Sequence, residues 1–86
     1  MYEYLWPETV LDKLAAIYIA ADVPARDRMA AGIEHLNARL AADPLDVGES
    51  RVGGHRVAFV PLLVVYYHVD EAHRRVLVTD VVCYGR

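Results

Sequence analysis

The sequence predicts an α+β domain in which an antiparallel helix hairpin covers one face of an antiparallel sheet. Three observations lead to this fold class. The chain has 86 residues, enough for one core, and 56% of them are hydrophobic. Apolar residues recur at helical spacing up to Ala42, and the period changes to two after Ser50. One short aromatic stretch precedes the helices, and three strand-like stretches with tight connections follow them, which implies an antiparallel meander.

The chain is predicted to begin with a short strand and a first helix. Aromatic side chains occupy every second position of residues 2–6, a pattern typical of a strand. Pro7 suits the first position of a helix, and residues 10–21 carry apolar side chains at helical spacing. Asp22 is a candidate cap for the next helix, although Val23-Pro24 leaves the start of that helix open.

A stripe of apolar side chains marks the second helix. Its members lie at i, i+4, i+7 and i+11: Met29, Ile33, Leu36 and Leu40. Gly32 interrupts the good helix formers at a cost of about 1 kcal/mol relative to alanine, and would permit close packing against the first helix. The helix is expected to end near Ala42, because Asp43-Pro44 follows. The short connection between the helices predicts a hairpin.

The second half of the chain predicts strands over residues 55–60, 62–69 and 74–84, after a brief extended piece at Arg51-Val52. Pro61 should mark the first turn, because proline cannot donate within a central ladder. Residues 62–69 are apolar on both faces, which places this strand at the centre of the sheet. The sheet face away from the helices is open, and we expect it to carry any polar function.

Composition excludes several classes of protein. A single cysteine, Cys83, excludes a disulfide framework and a thiolate zinc site. The four histidines show no metal-ligand spacing, and we expect no cofactor. The longest apolar run, residues 57–67, is shorter than the roughly 20 residues of a membrane span. The N-terminus lacks the basic and apolar regions of a signal peptide, which favours a cytoplasmic protein without a membrane partner.

Charge is distributed unevenly over a net value of −3. Residues 1–50 hold four basic and nine acidic side chains, whereas residues 51–86 hold five basic and three acidic ones. A basic half can favour phosphate, but an excess of two does not by itself indicate a nucleic-acid partner. The mean hydropathy of +0.18 is high for so short a chain and suggests that a partner covers part of its apolar surface.

Several short motifs follow one another in a recognisable order. An aromatic strand ends at Trp6, and the sheet begins at Gly54-His55-Arg56-Val57. A strand over residues 64–69 ends at Asp70, and the chain closes with Cys83-Tyr84-Gly85-Arg86. In this order and spacing they resemble the RelE/ParE superfamily, the toxins of type II toxin-antitoxin systems that include plasmid-stabilisation proteins. The resemblance covers nearly the whole chain and implies one toxin domain over residues 1–86.

The resemblance implies two different activities. RelE-like members are endoribonucleases that cleave messenger RNA in the ribosome and inhibit translation, whereas ParE-like members poison DNA gyrase. A cognate antitoxin neutralises either kind. The first expectation is therefore a metal-independent mRNA endoribonuclease. The alternatives are a gyrase inhibitor, a degenerate member that retains only protein–protein binding, and an unrelated module with the same fold. A homodimer or a toxin–antitoxin hetero-oligomer would cover the apolar surplus.

The resemblance also implies site residues. Cleavage by the substrate's own 2′-OH needs a base, an acid and cations that stabilise the phosphorane. Arg56 matches the arginine of the family's Gly-aromatic-Arg strand, Arg51 is a second candidate for phosphate, and Tyr84 is a candidate acid or base. Arg86 and Glu49 are candidates for substrate binding. Ordinary surface or packing roles remain open for all five.

Two points are left open by the sequence. One tyrosine of the Tyr66-Tyr67 pair should lie on the open face, and the strand register decides which. The net negative charge and the absence of any lysine after Lys13 argue against an efficient nuclease acting on a ribosome, because the target is a polyanion.

Overall fold

The computed structural model describes residues 1–84. Two helices and five strands follow one another along this part of the chain. Their bounds are β1 Glu3–Leu5, α1 Glu8–Ala20, α2 Val23–Ala42, β2 Glu49–Ser50, β3 His55–Val60, β4 Leu63–Asp70 and β5 Arg75–Cys83. Short 3-10 turns over Pro44–Asp46 and Val52–Gly54 flank β2. The strand near position 51 thus lies earlier than expected, because the segment before Gly54 turns instead of extending.

The five strands form one sheet in the order β1-β5-β4-β3-β2. The predicted meander β3-β4-β5 is confirmed, and β4 is its central strand. The sheet is mixed because β1 pairs with β5 in parallel. Between β4 and β5 the register shifts: Tyr66 opposes Asp80 and Tyr67 opposes Val78, which leaves Thr79 as an extra residue on β5. Such a bulge bends a strand locally.

Local signals place both helices close to their predicted bounds. The carbonyl of Pro7 accepts hydrogen bonds from Val10 and Leu11, so the first helix begins at Glu8. The Asp22 carboxylate accepts from the backbone N–H of Ala25 at 2.9 Å, which confirms the cap of α2. The second helix ends at Ala42, before Asp43-Pro44, as predicted.

The core lies between the helices and one face of the sheet. The predicted stripe of α2 is buried in full, and it packs with side chains of α1 and of the three long strands. Tyr67, on β4, is 0% exposed and is among the largest buried side chains. Trp6 links the end of β1 to α2, because its Nε1 donates to Asn37 Oδ1 at 2.9 Å.

Gly32 has a different neighbour from the expected one. A Cβ atom at this position would lie 2.8 Å from Pro61 Cδ and 3.2 Å from Val60 Cβ. The glycine therefore lets α2 approach the turn between β3 and β4, and the expectation that it packs against α1 is wrong. The sequence suggested α1 as the neighbour of Gly32 because α1 comes directly before α2 in the chain. In the structure, α2 crosses the end of the β3–β4 hairpin, and Gly32 lies at that crossing.

Within residues 1–84, neither α1 nor α2 combines the length and the apolar composition that a membrane crossing requires.

Candidate functional site

The strand register sorts the candidate residues onto two faces of the sheet. Residues directly opposite one another in adjacent strands point to the same side. Tyr67 is buried under the helices, so Tyr66 and His68, its neighbours on β4, face the other way. Tyr66 is 40% exposed. The tyrosine of the open face is therefore Tyr66, and the register also places Val57 and His55 on that side.

Arg56 lies on the covered face. It opposes Tyr67 in the register, and its side chain is half-buried. Its Nε donates to the carbonyl of Val47 at 3.1 Å and its Nη2 to that of Gly48 at 3.3 Å. The Tyr67 hydroxyl donates to the same Val47 carbonyl at 2.6 Å. The structure thus places Arg56 as an anchor for the segment before β2, on the opposite face of the sheet from Glu49.

The segment that Arg56 anchors has a constrained backbone. Gly48 has a φ of +66°, and a Cβ atom there would collide with the carbonyl of Val57. Only glycine therefore lets this segment run close to β3 in this conformation. Burial raises the pKa of Tyr67, and the nearby Arg56 guanidinium partly opposes that rise. The phenol consequently stays protonated and keeps its hydrogen bonds.

Glu49 and Arg51 form an exposed ion pair at the β2 edge of the open face. Glu49 opposes Val57 in the register and therefore points to the open side. Both Nη1 and Nη2 of Arg51 lie 3.4 Å from Glu49 Oε1. The backbone N–H of Arg51 donates to the carbonyl of His55 at 2.6 Å, which fixes this corner of the sheet. An exposed pair of this kind contributes only about 0–1 kcal/mol, so an incoming phosphate can replace the carboxylate.

Tyr84 lies at the other end of the sheet. Its hydroxyl donates to the carbonyl of Val60 at 3.3 Å, and its ring centroid is 6.0 Å from that of Phe59. Arg51 is bonded to His55, at the opposite end of β3. Five residue steps along a strand span about 17 Å, so the structure does not bring Tyr84 and Arg51 together. Arg86 lies outside the described residues.

Two histidines that the sequence did not connect meet on the open face. His55 and His68 are direct partners in the β3–β4 register, and their ring centroids lie 4.9 Å apart with 62° between the ring planes. His68 Nε2 is 3.2 Å from the carbonyl oxygen of Gly53. A carbonyl can only accept, so Nε2 carries the hydrogen, and Nδ1 of the neutral ring offers a lone pair.

These observations define one polar region, which we call the open-face cluster. Its members are Glu49, Arg51, His55, Tyr66 and His68. The cluster contains a carboxylate and imidazoles that can accept a proton, together with a guanidinium that can bind a phosphate in bidentate fashion. Alternation along β4 puts His68 on the same side as Tyr66, and alternation along β3 puts His55 opposite to Arg56, but alternation does not decide which side the helices cover. The register that sets the two histidines opposite each other could not be read from the sequence.

Three further contacts between a basic and an acidic side chain lie outside this cluster within residues 1–84, and two of them are short. Lys13 Nζ, on α1, lies 2.6 Å from Asp80 Oδ1, and this hydrogen bond lowers the pKa of Asp80. The one lysine of the sequence is therefore paired with Asp80 and is not part of the open-face cluster. His73 Nδ1 lies 2.8 Å from Asp70 Oδ2, and this contact lowers the pKa of Asp70.

Two solved structures of bacterial toxins share this fold. The toxin-antitoxin complex RelBE2 from Mycobacterium tuberculosis matches with a TM-score of 0.71 and 21% identity, over 96% of this chain and 98% of that one. The isolated RelE toxin of E. coli matches with a TM-score of 0.66 and 15% identity, over 100% of this chain and 87% of that one. No protein-family model and no curated protein sequence matches the chain.

The fold of the chain is therefore the RelE toxin fold. The arrangement predicted from the sequence, with a short first strand, two helices and a C-terminal meander, is confirmed at the level of fold. Both matches also cover most of the matched chain, so the similarity extends over the whole domain and is not limited to a few shared elements.

Proposed function

We propose that the protein is the toxin of a type II toxin-antitoxin system and inhibits translation in the cytoplasm as a RelE-like endoribonuclease that cleaves mRNA on the ribosome. One observation carries this proposal: the match to two RelE toxin structures spans 96% and 100% of the chain. The fold alone does not determine an activity. The open-face cluster adds groups of the kind that RNA cleavage without a metal requires.

A cognate antitoxin is the proposed partner. One of the matched structures is a toxin-antitoxin complex. The chain also has apolar surface for such a partner, because an apolar groove of about 510 Å³ lies between α1, the start of α2 and the end of β5. Ile17, Met29, Leu62 and Tyr84 are among the residues that line it. An antitoxin segment that fills the groove would cover part of the apolar surplus seen in the composition.

The proposed chemistry uses the edge of the sheet near β2. Arg51 would bind the scissile phosphate, after the phosphate displaces Glu49 from the guanidinium. An imidazole of the His55–His68 pair or the released Glu49 carboxylate would accept the proton of the RNA 2′-OH. The 2′-oxygen then bonds to phosphorus as the bond between phosphorus and the 5′-oxygen breaks, and the leaving 5′-oxygen takes up a proton from water. Tyr84, at the far end of the sheet, would stack on a base instead of transferring a proton.

Arg56 has a supporting role in this proposal. Its guanidinium is bonded to the carbonyls of Val47 and Gly48, next to Glu49. We infer that Arg56 holds the segment that presents Glu49 and Arg51 and does not itself contact phosphate. Its replacement would then act through the position of β2.

Expression in bacteria tests the proposal. Induction of the chain should arrest growth, and messages isolated from the arrested cells should carry new ends within codons. Arg51→Ala should abolish the arrest, because the phosphate then lacks its cation. Arg28→Ala, which removes an exposed arginine of α2, is the matched control and should arrest growth like the parent. Normal growth with the parent chain at a confirmed expression level would reject the proposal.

A non-enzymatic toxin is the second candidate. The observations that favour it are the net charge of −3 and the pairing of three cationic side chains with partners inside the protein. Arg51 is paired with Glu49, Lys13 with Asp80, and Arg56 with two carbonyls. Growth arrest with intact messages and a DNA-damage response would indicate a gyrase inhibitor. Normal growth together with retained antitoxin binding would indicate a degenerate member that keeps only protein–protein binding.

A further inference from the structure

We propose that His55 and His68 together form a binding site for a divalent transition-metal ion of the zinc class. The two residues are direct partners on neighbouring antiparallel strands, and both face the open side of the sheet. Partners of this kind have Cβ atoms about 4.5–5.5 Å apart, so both imidazoles rise from the same point of the surface. His55 is exposed and His68 is half-buried, which leaves the pair accessible to an ion from solvent.

The spacing of the rings fits two ligands of one ion. A zinc–nitrogen bond of about 2.1 Å places the ion about 3.2 Å from the centroid of each imidazole, and a near-tetrahedral angle then separates the centroids by about 5 Å. The observed separation is 4.9 Å. The two ring planes are inclined by 62° to each other. This inclination is compatible with two nitrogen lone pairs that meet at one ion, whereas the lone pairs of two parallel, face-to-face rings could not meet.

His68 is already oriented for this role. Its Nε2 donates to the carbonyl of Gly53, which fixes the tautomer and leaves Nδ1 as the ligand atom. Metal-binding histidines usually donate their other ring nitrogen in this way. Gly54, with a φ of +82°, makes room for the ring, because a Cβ atom there would lie 3.0 Å from His68 Nε2. The turn before β3 thus supports one ligand in the metal-binding tautomer.

The expected site is open and selective for metals that prefer nitrogen. Within residues 1–84, no group of three or more His, Cys, Asp or Glu side chains is placed to hold an ion, so water would complete the coordination. Neutral imidazole suits Zn²⁺, Cu²⁺ and Ni²⁺, whereas Mg²⁺ prefers oxygen ligands. The other histidine contact, between His73 and Asp70, has one imidazole only. This proposal does not depend on RNA cleavage.

Calorimetric titration of Zn²⁺ into the full chain, purified without a histidine tag, tests the site. One ion should bind per chain, and Mg²⁺ should give no binding heat. His55→Asn and His68→Asn should each lower the association constant at least about tenfold, the scale on which even supporting groups act. The matched controls His35→Asn, His73→Asn and Cys83→Ser should bind Zn²⁺ like the parent. Binding that survives both His55→Asn and His68→Asn would overturn the proposal.

A spectroscopic measurement keeps the test independent of the variants. In the unsubstituted chain, the imidazole nitrogen resonances of His55 and His68 should shift on Zn²⁺ addition, and those of His35 and His73 should not. The expected change at His68 is at Nδ1, because Nε2 keeps its hydrogen bond to Gly53. No saturable shift at His55 and His68, or shifts confined to His73, would contradict the site. Neither measurement contains RNA, so failure here leaves the proposed nuclease activity standing or falling on its own test.

Discussion

Tyr67 and Arg56 reach the same backbone carbonyl, that of Val47, from the covered face of the sheet. The phenol also contacts the carbonyl of Pro44 at 3.2 Å. These hydrogen bonds connect β3 and β4 to the irregular segment that leads into β2. A buried carbonyl that loses its donor carries a desolvation cost, so both side chains hold this segment in place.

Tyr67→Phe is therefore expected to lower the free energy of unfolding by about 1–2 kcal/mol, because it removes the buried hydroxyl that contacts the carbonyls of Val47 and Pro44. Tyr66→Phe, the neighbouring change on the exposed face, should alter it by less than about 0.5 kcal/mol. Urea unfolding followed by circular dichroism measures both. Equal effects of the two substitutions would contradict the assignment of the two tyrosines to opposite faces.

Replacement of the two candidate arginines, Arg56 and Arg51, is also expected to change the free energy of unfolding by different amounts. Arg56→Ala should destabilise the fold by about 1–2 kcal/mol, because its guanidinium is bonded to two carbonyls. Arg51→Ala should change stability by less than about 0.5 kcal/mol, since it removes an exposed ion pair. Chemical unfolding of both variants decides the point. A destabilising Arg51→Ala beside a neutral Arg56→Ala would reverse their proposed roles.

At the scale of elements, contacts between helices and strands fix the packing of the two layers. Lys13 on α1 is bonded to Asp80 on β5, and Gly32 on α2 lies against Pro61 in the β3–β4 turn. The first contact is electrostatic and responds to pH. The second is steric and responds to one added methyl group.

The Lys13–Asp80 pair predicts a dependence of stability on pH. Lys13 lowers the pKa of Asp80 below its usual value of 3.8, so the pair stabilises the fold above that value. The contribution is lost as the pH falls through the lower pKa of the folded state. Asp80→Asn should therefore lose less stability than the parent on acidification below about pH 4. Asp27→Asn, an exposed change on α2, is the control and should keep the acid sensitivity of the parent.

Gly32→Ala tests the steric contact. Alanine normally stabilises a helix by about 1 kcal/mol relative to glycine, but here its Cβ atom would meet the rigid ring of Pro61. We expect a net loss of stability in the parent chain. In a Pro61→Ala background the ring is absent, and Gly32→Ala should become neutral or stabilising, as thermal unfolding of the parent and the three variants would show. A stabilising Gly32→Ala in the parent would contradict this packing.

The helices and the meander could be predicted from local patterns, because caps, prolines and apolar periods act over a few residues. The Asp22 cap and the Asp43-Pro44 stop are examples. The site could not be predicted in the same way. Whether Arg56 or His55 faces the open side depends on which face the helices cover, and the opposition of His55 and His68 depends on strand register. Both are set by contacts between distant parts of the chain.

At the scale of the whole molecule, the fold favours the proposed action on the ribosome, whereas the net charge disfavours it. The RelE fold spans the whole domain, whereas a net charge of −3 weakens attraction to the ribosome. The open-face cluster supplies groups for phosphate binding and proton transfer but no excess of positive charge, because Arg51 is paired with Glu49 there. The apolar groove beside α1 is lined by Tyr84 but not by Arg51, so the proposed antitoxin would compete with RNA at Tyr84 and leave Arg51 uncovered.

The activity proposed for this chain is cleavage of mRNA on the ribosome. The most direct measurement mixes the purified protein with a defined message, once free in solution and once bound to purified ribosomes, and maps the new RNA ends. We expect cleavage only in the ribosome-bound message, and its loss in Arg51→Ala but not in Arg28→Ala. An intact ribosome-bound message, with the parent chain folded and in excess, would contradict the claim.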